Sequence, residues 1–391
     1  MAFIYSVICS FKYEVREICK NRLYRTSLLL LPFVTLLFFA AIFYRGSIEN
    51  LPIVIIDNDH SQTSRKLLGM ISATRSIEIW GYTNSVAEAE ALLRRGDVYA
   101  ILLIPEEFES SIYGSTSTHL ECYISGTNLS ASGVIESALQ NTVRTFAAGV
   151  SISKLETKGI RRRDAMREVM PINTLTHTIS NPYMNYGYYL APIFMFMSLA
   201  IFTTLLTVYA VGRELYYSSA RRWLATCGGR GVAATIGKLL PTTIVMILYS
   251  QLILFILFVV MGMECSGSYV TLTVGSILFI VAYQSVALFI VALSSNMRLA
   301  LSLGGGYAVM AFTFSGITFP TMAMFDIARW LSVLFPLSWF SDIFVDQAMR
   351  GAPPQYSLLP LAYLALFVVL PIAASRRLRG ILLIPKFWHR D

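Results

Sequence analysis

Six stretches of 18 or more residues without a single Asp, Glu, Lys or Arg constrain this chain more than any other feature. They are Ser27 to Tyr44, Gly187 to Val211, Leu239 to Met261, Tyr269 to Leu293, Leu299 to Thr318 and Ser357 to Ala374. A lipid interior offers no partners for backbone N–H and C=O groups, and about 20 apolar residues in a helix close their own hydrogen bonds across a ~30 Å hydrocarbon core. The composition agrees: 55% of residues are hydrophobic and only 14% charged, against roughly 25% charged in soluble domains. A membrane α-helical fold with six transmembrane helices is expected. Cys9, Cys19, Cys122, Cys227 and Cys265 are scattered without a CxxC pair or a Cys/His cluster, so no metal site is expected.

Lys and Arg beside the spans give the orientation, because cytoplasmic flanks retain them. Residues 1–26 hold five, 212–238 five, 294–298 one and 375–391 five, whereas 262–268 hold none and 319–356 only Arg329 and Arg350. Both termini are therefore expected in the cytoplasm. The net charge of +8 belongs to that face, where it suits anionic membrane lipid rather than nucleic acid. The chain starts with 26 residues ahead of the first apolar run, too long a leader and too long a run for a cleavable signal peptide. Within that leader Phe3, Ile4, Val7, Ile8, Phe11, Val15, Ile18 and Cys19 recur at helical spacing, with Lys12, Arg16, Glu17 and Lys20 between them. An amphipathic helix in the inner interface is expected over residues 1–26, with Phe11, Lys12 and Arg16 marking its apolar and basic sides.

The first transmembrane helix occupies 27–44, and residues 45–186 have the texture of an inserted extracytoplasmic α/β domain. Strands are expected at Leu51–Ile56, Ile77–Trp80, Tyr99–Ile104 and His119–Ile124, and helices at Ser61–Ala73, Ser85–Arg95, from Pro105, and from Ser130 to about Ile160. Asp57, Asp59 and His60 follow the first strand and fit turn and cap positions better than an acid–base or metal cluster. No HExxH or GxSxG pattern accompanies His119, His177 or the serines.

Transport against a gradient needs an energy source. The nearest approach to a phosphate loop, Gly231, Gly237, Lys238, Leu239, has the wrong spacing and no hydroxyl for magnesium. Leu301 to Gly306 lies within an apolar span, where small residues allow helices to approach. The six stretches carry no carboxylate or histidine for a proton or sodium relay. Energy is then expected from another polypeptide, acting on the cytoplasmic loop 212–238. There Arg213 and Glu214 end the second span, and a short helix, Ser218–Thr226, carries Arg221, Arg222 and Trp223 as candidate coupling anchors for that partner. Residues 187–375 would hold helices 2–6, with the apolar but interrupted outer segment 319–345 forming a re-entrant hairpin. Gly316, Pro320, Phe335 and Pro336 bracket it as candidate gating residues. Residues 376–391 form a basic cytoplasmic tail.

The order of several motifs resembles the permease subunits of ABC-2 type exporters that carry a large extracytoplasmic domain after the first span. The motifs are Leu51 to Asp59 followed by Ser64-Arg65, Ala89 to Leu93, Tyr99 to Phe108, Asn181-Pro182 with Tyr188 to Pro192, Phe314 to Pro320 and Phe335 to Phe340. One departure is that Tyr216-Tyr217-Ser218-Ser219 follows Arg213-Glu214 where such permeases often have Gly-Thr. The resemblance implies a permease of the bacterial inner membrane that moves substrate out of the cytoplasm or inner leaflet by alternating access. It also implies a cytoplasmic ABC ATPase partner binding ATP and Mg, with no cofactor in this chain, and a second permease copy or paralogue. In some members a periplasmic adaptor and outer-membrane channel join. The competing classes are an ion-coupled secondary transporter and a membrane-anchored receptor or assembly factor.

Overall fold

A computed structural model describes residues 2–44, 46–114, 117–169, 179–181, 185–294, 296–317 and 319–384. His177, Pro182, Thr318 and the end of the basic tail from residue 385 lie outside the described residues. Along the chain come α1 (Ala2–Lys20), α2 (Arg22–Phe43), β1 (Leu51–Asp57), α3 (Gln62–Ser72), β2 (Ile77–Tyr82), α4 (Val86–Arg95), β3 (Ala100–Ile104), α5 (Phe108–Tyr113), β4 (Glu121–Ile124), α6 (Leu129–Thr157) and α7 (Arg162–Val169). They are followed by α8 (Tyr186–Tyr216), α9 (Ala220–Thr226), α10 (Gly231–Val260), α11 (Tyr269–Ser294), α12 (Met297–Thr313), α13 (Asp326–Ser332), α14 (Pro336–Phe344), α15 (Pro354–Ala373) and α16 (Ser375–Leu383). The chain divides into two compact units, Met1–Gly46 with Thr178–Asp391, and Ser47–His177.

In the helical unit, five helices among the described residues are long and apolar enough to cross a membrane: α2, α8, α10, α11 and α15. The fifth apolar stretch of the sequence, Leu299 to Thr318, forms the 17-residue α12, which is shorter than the ~20 residues a span ordinarily uses. It stops because the chain turns at Phe314 and then takes a left-handed backbone at Gly316, where φ is +79°. Aromatic rings fill much of the core. Phe340 of α14 lies 4.3 Å from Phe196 of α8 and 4.9 Å from Phe279 of α11, ring centre to ring centre.

The segment expected as a re-entrant hairpin is two short helices, α13 and α14, joined through Val333 to Phe335. Trp330 and Ile327 of α13 are exposed, whereas Leu337, Phe340 and Ile343 of α14 are fully buried. Phe335 stacks on Phe314 at 5.1 Å and Pro336 opens α14. A proline suits a first helical turn, which has no use for its missing N–H. Pro320 precedes the short turn Thr321–Ala323, and the Thr321 side chain packs against Gly316.

The second unit is a four-stranded sheet in the order β2-β1-β3-β4, with β1, β2 and β3 parallel and β4 antiparallel to β3. Both faces are covered, as parallel strands require. Leu67, Leu68 and Ile71 of α3 and Ile135 and Leu139 of α6 pack with Ile53 and Ile55, and Ala89 and Leu92 of α4 pack with Val54 and Ile56. Ser61 and Ser85 cap their helices by accepting from Ser64 N–H and Glu88 N–H. Asp57 accepts from the N–H groups of Asp59 and His60 at 3.1 Å and from Ser64 Oγ at 2.8 Å. It is a turn-organising residue, as its position after a strand implies. Pro105 does not open a helix: the chain turns, Glu107 adopts φ +58°, and α5 starts at Phe108. Cys122 and Cys265 are both free thiols.

Candidate functional site

The leader forms the expected helix, but its packing face is the polar one. Ser6, Ser10, Glu14 and Ile18, spaced four apart, are its buried residues. Phe3, Ile4 and Ile8 are exposed, Phe11 is half-buried, and Lys12 and Arg16 are exposed. Residues four apart share one side of a helix, so a polar stripe turned inward leaves the apolar stripe facing outward, where a lipid surface would cover it. At Asn21 the helix ends and restarts, since the Asn21 side chain accepts from Leu23 and Tyr24 N–H. That cap lets α1 pack alongside α10 before the chain enters α2.

Contact between α1 and α10 is backbone-close. A Cβ on Gly237 would overlap the Val7 carbonyl oxygen, and Ser10 Oγ donates to Ala234 C=O at 2.6 Å. Such an approach places Glu14 beside Lys238, one residue after the glycine. Lys238 Nζ lies 2.5 Å from Glu14 Oε2 and 2.7 Å from Glu214 Oε1. Arg213 Nη2 approaches the same two oxygens at 3.4 and 3.3 Å, and its Nη1 faces Glu17 Oε2 at 3.7 Å. Glu14, Glu214 and Lys238 are 0% exposed and Arg213 5%.

Two buried cations thus balance two buried carboxylates, which is what allows any of them to stay charged away from water. Further donors complete the carboxylates. Tyr24 Oη donates to Glu14 at 2.9 Å, and Ser219 Oγ to Glu214 at 2.5 Å. Tyr13 Oη contacts Glu214 at 3.5 Å, and burial, followed by the Glu214 charge, pushes its phenol up to about 12. The Lys238 ammonium also sits 4.9 Å from the ring centres of Tyr13 and Trp223, within cation–π range.

The sequence-derived coupling residues divide into two groups. Arg213 and Glu214 belong to the buried network. Trp223 is fully buried and donates from Nε1 to Ser10 Oγ at 2.9 Å, so it is not the outward anchor expected of it. Its ring lies on Lys238 because α9 packs its apolar side, with Leu224, inward. Arg221 and Arg222 are on the exposed side of α9, and Arg221 Nε donates to Leu383 C=O at 2.9 Å. The helix therefore has a basic outer face and a tryptophan packed on Lys238 of the ion network. Gly316, Pro320, Phe335 and Pro336 belong to the separate aromatic region around α12 and α14.

Glu14, Lys238, Ser10, Tyr13, Tyr24 and Ser219 are the members that sequence reasoning missed. The stripe Ser6-Ser10-Glu14 was the available signal, together with a lysine directly after a glycine at the mouth of an apolar stretch. Arg213, Glu214 and Lys238 also show that the helices extend beyond the uncharged stretches, so the spans do hold ionisable groups at one end. Among the described residues no group of His, Cys, Asp and Glu is arranged to hold a metal ion.

No curated protein matches the chain. A family described as ABC-2 family transporter protein matches residues 24–376, which takes in the five candidate spans apart from Arg22 and Leu23, the α/β unit and α9. The chain is a multi-pass membrane protein belonging to the ABC-2 transporter family.

Proposed function

We propose that this chain is the permease subunit of an ATP-driven exporter of the bacterial inner membrane, with six spans once α12 is included, inward termini and residues 47–177 outside. A cytoplasmic ABC ATPase supplies the energy and binds ATP and Mg, and a second copy or paralogue of the permease completes the pathway. In cells with an outer membrane, a periplasmic adaptor and channel can extend that pathway. The observation that carries this reading is α9 itself: a basic outer face on one side and, on the other, a tryptophan resting on Lys238, one of four buried charges that tie α1, α8 and α10 together.

A buried ion network has few alternative arrangements, since each charge must keep a partner. Motion of α9 therefore shifts α1, α8 and α10 as a set rather than separately. ATP binding on the partner would push α9, tilt the inner ends of α8 and α10, and open the route outward. The aromatic packing of Phe335 and Phe340 around α14 would gate the far end. Substrate would pass along the interface between two permeases.

Purification from native membranes in mild detergent, with intact-mass measurement, tests this reading. The chain should be recovered with an ATPase subunit. Arg222→Glu should reduce that recovery about fivefold or more, as expected for reversing an exposed interfacial charge, while leaving the chain folded. Full recovery of a folded chain without any ATPase would overturn it.

A further inference from the structure

Between α10, α11, α15 and α16 lies a cavity of about 630 Å³, a size that encloses drug-sized ligands. It runs along α10 from Gly231 to Thr243, a rise of about 18 Å, comparable to the depth of one bilayer leaflet. Leu239, Leu240, Val281, Leu288 and Val368 make its walls apolar. Its two ends differ. One end holds Arg379, exposed on α16, beside the opening turn of α10, and the lining includes no carboxylate. At the other end the Gln284 amide meets Thr243 Oγ1 at 2.9 Å. Gln284 is 5% exposed, and Thr243 Oγ1, which also lies 2.9 Å from Leu239 C=O, has one proton to give, so in either orientation of the amide one of its polar atoms has no hydrogen-bond partner among the described residues. Buried amides are almost always paired in finished protein interiors, so this one calls for a polar group supplied from outside.

We propose that the cavity is a binding site for an anionic amphiphile about one leaflet long, whose head pairs with Arg379, whose apolar body lies along α10 and α11, and whose deep hydroxyl pairs with Gln284. A hydroxyl, donor and acceptor at once, meets the last requirement in either orientation of the amide. A resident membrane lipid and a molecule being exported share this chemistry. The site does not depend on the exporter reading, because binding is measured without transport.

The test uses the purified full chain in lipid nanodiscs with a photoreactive octadecanoate, and mass mapping of the labelled peptides. Label should fall on α10, α11 and α15, and octadecanoate with a hydroxyl about 18 Å along the chain from its carboxylate should displace it about fivefold better than plain octadecanoate. Octadecanol should compete about fivefold worse than octadecanoate. Gln284→Leu should erase the hydroxyl preference and Arg379→Glu the carboxylate preference. Val281→Trp, checked for an unchanged elution volume, should remove labelling by filling the space. Labelling elsewhere, or competition indifferent to head charge and hydroxyl in the unmutated protein, would overturn the site. Mass analysis of lipid carried through purification separates the two sources: a stoichiometric membrane lipid identifies a resident, and its absence alongside binding identifies a transient ligand.

Discussion

Replacing Lys238 by methionine should destabilise the helical unit by about 3–5 kcal/mol, the cost of breaking a buried ion pair from one side. Lys238 is the hinge of the network: it holds Glu14 and Glu214 at 2.5 and 2.7 Å, whereas Arg213 meets the same oxygens only at 3.4 and 3.3 Å. Without it, two carboxylates that are 0% exposed share one loosely placed guanidinium. Removing a carboxylate as well restores the balance. Glu14→Gln with Lys238→Met leaves Arg213 opposite Glu214, and the pair should recover a large part of the loss, with a coupling of about 1–3 kcal/mol. Thermal unfolding of the single and double variants in one detergent checks this. Additive losses would show that the two side chains do not act as a pair.

Gly237→Leu should detach α1 from α10. The first carbon of any side chain there already meets the Val7 carbonyl, and backbone cannot move aside as a flexible side chain can. Detachment has a chemical readout. Cys227 is fully buried, and burial, with a smaller contribution from Cys9 beside it, pushes its thiol up to about 11. The thiolate is the reactive form, so alkylation at neutral pH is slow while α1 is docked. Return to an ordinary thiol pKa near 8.5 should speed alkylation by on the order of tenfold to a hundredfold. Gly231→Ala, which meets open space, should leave the rate unchanged. Equal rates in the Gly237 and Gly231 variants would show that α1 packing does not depend on the glycine.

Both effects arise from residues that local pattern reading passes over, and the reason is physical. Runs such as Leu51 to Ile56 and Tyr99 to Ile104 declare themselves because each residue of a doubly covered strand is apolar, and Ser61 and Ser85 announce helices through a local hydrogen bond. Glu14, Glu214 and Lys238 meet across 224 and 24 residues, and a window of hydropathy contains no trace of such a pairing. Hydropathy also does not say which side of a helix faces inward. The leader's apolar stripe was legible, yet in a membrane protein lipid competes for apolar faces, and the polar stripe took the protein contact. Trp223 was conspicuous for its type, but a large ring beside a buried ammonium does more inside than on a partner's surface. At Pro105 a permitted helix start was outweighed by a turn at Glu107, because a proline allows a first turn without enforcing one.

Inside-out membrane vesicles carrying the full assembly provide the decisive comparison, using uptake of a fluorescent amphiphile with either ATP or an imposed pH or sodium gradient. ATP should drive accumulation, Lys238→Met should abolish it in protein that remains in the membrane, and ion gradients without ATP should give none. Accumulation by this chain alone, powered by an ion gradient with no ATPase subunit present, would contradict a permease worked by a separate motor.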